Sequence, residues 1–135
     1  PIAYTYAELG NFERALDVAK SISNRHRQDE TLGAIANQYI KINQLEQAQK
    51  LVPAIISERE KAKLLGQLAI AYSRSKNLNL ADQLFNQAVK FASANIENDF
   101  ILSGIIVSYA QAGQIDTASR ALELVHDNYT KGNLH

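Results

Sequence analysis

The chain has no cysteine. Disulfides and thiolate metal sites are therefore excluded, and a reducing compartment is permitted; a cytoplasmic location is the expectation. It has no apolar run near the roughly 20 residues that a membrane span needs, and no basic-then-apolar leader is read at its start. No charge of one sign prevails: Lys plus Arg and Asp plus Glu number 14 each, for a net charge of zero. Affinity for nucleic acid rests on neutralising phosphates, so nucleic acid is not an expected partner. No methionine opens the chain, which begins "PIAYTY" and reads as a piece of a longer protein. What remains is 135 residues, 46% hydrophobic and 21% charged. That is ordinary for a soluble folded protein of one domain or a short array of repeats.

Catalytic patterns are also missing. The histidines are His26, His126 and His135, and none is read as having a metal-ligating partner three or four residues on along a helix face. There is no nucleophile motif, no glycine-rich phosphate loop and no paired-carboxylate signature. The expectation is a protein without catalytic residues, metal or cofactor, and not an enzyme.

What is present is a repeat. "LGAIANQYIKIN" returns 33 residues later as "LGQLAIAYSRSK". Tyr6, Tyr39 and Tyr72 are 33 apart, Tyr109 follows after 37, and Ala15, Ala48, Ala81 and Ala118 keep the same spacings. A period in the thirties is a signature of stacked helical units. Before each tyrosine runs an apolar stripe at i, i+3, i+4 and i+7, as in Leu32, Ile35, Ala36 and Tyr39, which is one face of a helix. A second stripe surrounds each alanine, as in Leu78, Ala81, Leu84, Phe85 and Ala88. Between the stripes stand Gly10, Asn43 and Gly113, residue types that tolerate the left-handed conformation ending a helix. Lys76 breaks that pattern, and Asn77 follows it. The expected architecture is all-α, an α-α superhelix or solenoid of about four helix-turn-helix repeats, with units near 1–26, 27–59, 60–96 and 97–130.

The tyrosine, the Gly or Asn four on, the Ala five further and the apolar positions after it resemble the tetratricopeptide repeat. Tyr6, Gly10, Ala15, Ala19 and Ile22 carry the match in the first copy, and Tyr109, Gly113, Ala118, Leu122 and Val125 in the fourth. The match covers nearly the whole chain. Leu32, Leu65 and Leu102 stand at the family's tryptophan position, and Arg27, Glu60 and Ser93 at its closing proline, which marks a divergent member.

Several irregularities carry expectations of their own. The four extra residues lie between Ala81 and Tyr109 and extend the third unit's second helix by about 6 Å, to end near Ala94 or Asn95. Pro53 lies inside a helical stripe and should bend or break it between Gln49 and Pro53. Gly33 and Gly66 are equivalent mid-helix glycines, read as sites where a neighbouring helix packs closely. Arg25 and Arg27 align with Glu58 and Glu60, so successive units are expected to pair these charges.

The resemblance implies an extended concave face lined by the first helix of each unit. Its candidate lining residues are Tyr4, Glu8, Asn37, Ile40, Lys41, Lys63, Ile70, Arg74, Phe100, Val107 and Gln111. This mixture of apolar and basic residues suits an amphipathic peptide or helix with an acidic element. The expected function is a non-catalytic scaffold for protein–protein interaction, with a protein or peptide partner. The alternatives are a self-association module forming a homo-oligomer, because the first unit should expose apolar surface, and a regulatory repeat domain of a larger multidomain enzyme.

Overall fold

A computed structural model of the chain describes the backbone of residues 2–133 and the side-chain surroundings of 2–126 except 96; Pro1 and His135 lie outside the described residues. The protein is all-helical, with no strand among the described residues. Among the described residues eight α-helices run in order: α1 (Ile2–Glu8), α2 (Phe12–Lys20), α3 (Arg25–Lys41), α4 (Leu45–Gln49), α5 (Glu58–Arg74), α6 (Leu78–Ser93), α7 (Asp99–Gln111) and α8 (Ile115–Asn133).

The repeated tyrosine closes each odd-numbered helix. Its carbonyl accepts the N–H five residues on: Asn11 to Tyr6 at 2.8 Å, Gln44 to Tyr39 at 2.9 Å, Asn77 to Tyr72 at 3.0 Å and Gln114 to Tyr109 at 3.2 Å. This is the helix-ending motif that needs a left-handed residue just before the donor. Gly10, Asn43 and Gly113 supply it, with φ of 81°, 61° and 101°. In the third copy Lys76 itself takes the left-handed conformation, φ 65°, and not Asn77. The hydrogen-bond register fixes the position, so the lysine bears the strain although asparagine stands next to it.

Helix starts are written locally as well. Asn11, Asn24 and Ser57 each accept from the N–H three residues on, at 3.3, 3.0 and 3.3 Å, which satisfies one of the unpaired donors of a first turn. The apolar stripes meet in one core, where Ile35, Leu65, Leu68, Phe85 and Tyr109 are buried. Ala15, Ala48 and Ala81 are fully buried as well, and their small side chains let paired helices approach closely. α1, α3, α5 and α7 pack each on the next, and α2, α4 and α6 each pack between two of them.

Pro53 does break its helix. α4 stops at Gln49 and a single 3-10 turn follows over Val52–Ala54, because proline offers no N–H and its ring clashes one turn back. The second helix of the third unit runs 16 residues to Ser93 and is capped by Ala94, against 9 and 5 residues for its counterparts α2 and α4. The expected pairing of Arg25 and Arg27 with Glu58 and Glu60 is not what forms: Glu60 instead lies 3.8 Å from Lys63 on its own helix. Neighbours three apart on one helix meet at lower entropic cost than long side chains reaching across units.

Candidate functional site

Two adjoining clefts run along α1, α3 and α5. The first, about 490 Å³, is lined by Tyr4, Asn37, Ile40, Lys41, Ile70 and Arg74 among others. The second, about 270 Å³, is lined by Glu30, Gly33, Asn37, Glu60 and Lys63 among others. Ala34, Asn37 and Gln67 belong to both. The clefts thus bring together seven of the eleven residues expected from the sequence: Tyr4, Asn37, Ile40, Lys41, Lys63, Ile70 and Arg74. Glu8, Phe100, Val107 and Gln111 line neither. Glu8 is exposed at the end of α1, and the other three are exposed on α7.

The lining follows from helix geometry. Ala34, Asn37 and Lys41 on α3, and Gln67, Ile70 and Arg74 on α5, fall at i, i+3 and i+7, which share one face. Gln67 and Ala34, five residues before their tyrosines, were not among the expected residues. That same spacing is the signal that would have found them. Ser73, one after its tyrosine, is buried and donates its hydroxyl to the Ile70 carbonyl at 2.7 Å, so it contributes no lining. Tyr4 is held across the first cleft, where its hydroxyl accepts from Gln38 Nε2 at 3.3 Å.

Charge divides the two clefts. Lys41 and Arg74 sit in the last turns of α3 and α5, where the negative end of the helix dipole favours cations. Among the described residues neither has an ion-pair partner. In the second cleft the charges are engaged. Glu60 faces Lys63, and Glu30 lies 2.7 Å from His26 Nε2. His26 therefore does have a carboxylate four residues on, contrary to the sequence reading. It is a surface pair with both side chains largely exposed. Among the described residues no three His, Cys, Asp or Glu side chains gather as a metal site would require. No helix among them is long and apolar enough to cross a membrane.

The two equivalent glycines part company. A Cβ on Gly66 would lie 3.1 Å from Ile105 Cγ1, so α7 does press on α5 there. A Cβ on Gly33 would meet nothing within 4 Å, so close packing is not the reason for that glycine, which opens into the second cleft. Alanine is favoured over glycine in a helix by about 1 kcal/mol. Gly33→Ala should therefore stabilise the protein by somewhat less than about 1 kcal/mol in urea denaturation. Gly66→Ala should give no gain, because Ile105 must move aside. Equal responses of the two variants would contradict the difference in packing.

Comparison with family models, with curated proteins and with solved structures found no significant match to this chain.

Proposed function

We propose that the chain is a non-catalytic protein-interaction module: a tetratricopeptide-like superhelix of about four helix-turn-helix units. It takes a peptide or a partner's helix on the face formed by α1, α3 and α5. The observation that carries this reading is the first cleft, where Tyr4, Ile40 and Ile70 lie beside Lys41 and Arg74, two cations without ion-pair partners among the described residues. Apolar side chains of an amphipathic segment would rest on the first group, and its carboxylates would pair with the second. Repeated helix pairs are suited to such extended surfaces. The reading assigns no cofactor.

The test is fluorescence anisotropy with two labelled amphipathic helical peptides of equal hydrophobicity, one with glutamates and one with glutamines on the polar face. The acidic peptide should bind, more weakly at high salt, and the neutral one at least about tenfold less well, which is about 1.4 kcal/mol. Lys41→Glu with Arg74→Glu should abolish the preference. Failure of the acidic peptide to bind, or equal binding by the double variant, would refute the assignment of this face.

A further inference from the structure

Glu60 holds the place of a capping partner without filling the role. Ser57 and Glu60 spell Ser-x-x-Glu at the start of α5, and the Ser57 hydroxyl accepts the Glu60 N–H at 3.3 Å. In the full motif the glutamate returns the bond, its carboxylate accepting the serine N–H. Here that N–H is already taken, because it donates to Asp29 Oδ2 at 2.9 Å. The Glu60 side chain is left to line the second cleft, and it is only 15% exposed. Among the described residues its one charged neighbour is Lys63, at 3.8 Å, which is longer than a hydrogen bond. A carboxylate so far withdrawn from water, with no donor bonded to it, favours the arrival of a cation.

The rest of the second cleft agrees. Glu30 adds a second carboxylate from α3, and its neighbour His26 is charged only if protonated. Lys63 offsets one of the two carboxylates, so the cleft keeps negative charge. The first cleft has the opposite sign, since Lys41 and Arg74 line it and no carboxylate does. The two share Ala34, Asn37 and Gln67 and so make one trough with opposite charge at its ends. Lys41 stands eleven residues after Glu30, and Arg74 eleven after Lys63. Eleven residues are three helical turns, about 16 Å, and return to nearly the same face.

We propose that the trough binds an amphipathic helix with an acidic residue at its N-terminal end and a Lys or Arg eleven residues later. The acid sits on Lys41 and Arg74, and the base on Glu30 and Glu60. The inference rests on the peptide-binding reading of the first cleft and deepens it by adding a cation site in the second. A helix placed so lies antiparallel to α3 and α5, which brings helix ends of opposite dipole together. Each of its charges also stands at the end of its own helix that favours that sign. The residues four and seven places after the acid share the bound face and rest on the middle of the trough.

Fluorescence anisotropy tests it with three labelled helical peptides of about 18 residues, long enough for the spacing. They differ only near the basic position. The first has arginine eleven residues after the glutamate. The second has glutamine there. The third has that glutamine and carries the arginine two residues further on, which is the far side of the helix. The first should bind at least about fivefold tighter than the other two. Glu60→Gln should cut this advantage to less than about twofold while the affinity for the glutamine peptide stays as in the wild type. Glu30→Gln, a change on the exposed helix surface, should narrow it as well and guards against a disturbed start of α5 in Glu60→Gln. Equal binding of the first two peptides by the wild type would overturn the inference and leave the acidic-end reading standing, because Lys41→Glu with Arg74→Glu tests that reading on the glutamine peptide alone. An advantage shared by the third peptide would reflect bulk charge and would also overturn it. So would an advantage that survives Glu30→Gln and Glu60→Gln combined. Binding of none of the three would refute both proposals together.

Discussion

Replacing Asp29 by alanine should destabilise the protein by about 3 kcal/mol, although the residue touches neither cleft with its carboxylate. That carboxylate is 2% exposed. Its Oδ1 accepts the Ile56 N–H at 3.1 Å and its Oδ2 the Ser57 N–H at 2.9 Å. Hydrogen bonds to a charged group contribute about 1.5–3 kcal/mol each, less the water that partly replaces them. Both donors lie in the extended link between the helix broken at Pro53 and the start of α5, where no helical carbonyl can serve them. Ser57 also caps α5 through the Glu60 N–H, so Asp29 decides where the helix carrying Lys63, Ile70 and Arg74 begins. Thirty-three residues on, its counterpart is Ala62, and the counterparts of Ile56 and Ser57 are Val89 and Lys90 inside the unbroken α6. Those N–H groups already have helical partners, so no carboxylate is wanted. Ala62→Asp should accordingly be destabilising too, because it would bury a charge without donors. Urea denaturation checks both. A loss under about 0.5 kcal/mol for Asp29→Ala would mean that water serves the link equally well.

Asp29 also shows why a sequence discloses some of this molecule and not the rest. Local rules reached the helix-turn-helix pattern, the break at Pro53, the long α6 and the left-handed turns at Gly10, Asn43 and Gly113. Each of these depends on residues within about one or two helical turns. Within the charged stretch 24–30, "NRHRQDE", Asp29 looks like solvated surface, and only the return of the chain 27 residues later makes it a buried acceptor. The pairing of Tyr109 with Asp82 spans the same separation. Gly33 and Gly66 are indistinguishable by position, yet only Gly66 has a helix pressed on it. That difference resides in how closely successive helices approach, which no local pattern records. Of the cleft, Asn37, Ile40 and Lys41 on α3 and Lys63, Ile70 and Arg74 on α5 followed from register, while Ala34 and Gln67 were missed. Phe100 and Val107 occupy the same register on α7 but are 88% and 53% exposed and line neither cleft, since the local pattern does not record whether another helix stands opposite.

Truncating Tyr109 to alanine should cost about 4 kcal/mol, within the range for removing a large buried aromatic ring. The side chain is 0% exposed and joins α7 to α6 by its ring, stacked on Phe85 with centroids 4.2 Å apart, and its hydroxyl, which donates to Asp82 at 2.6 Å. Tyr109→Phe separates the two contributions. It keeps the stack on Phe85 and loses one charge-assisted bond to Asp82. That carboxylate is only half-buried and can turn to water, so the cost should be about 1 kcal/mol near neutral pH. The hydroxyl adds a dependence on pH. Burial, and then the hydrogen bond and charge of Asp82, hold its pKa well above the ordinary value of 10.0. In the unfolded chain Tyr109 ionises near that ordinary value, while in the folded protein it keeps its proton to higher pH. The unfolded state therefore binds fewer protons in that window, and stability declines as pH rises through it. Below pH 10 the contribution of the hydroxyl is present in full; above it the contribution is progressively lost. Tyr39 and Tyr72 are shifted in the same direction and remain in the phenylalanine variant, so the comparison isolates Tyr109. Urea denaturation at pH 8 and pH 11 should show the advantage of wild type over Tyr109→Phe shrinking at the higher pH. An advantage of the same size at both would mean that the junction does not hold the phenol protonated, and that the short bond to Asp82 contributes geometry alone.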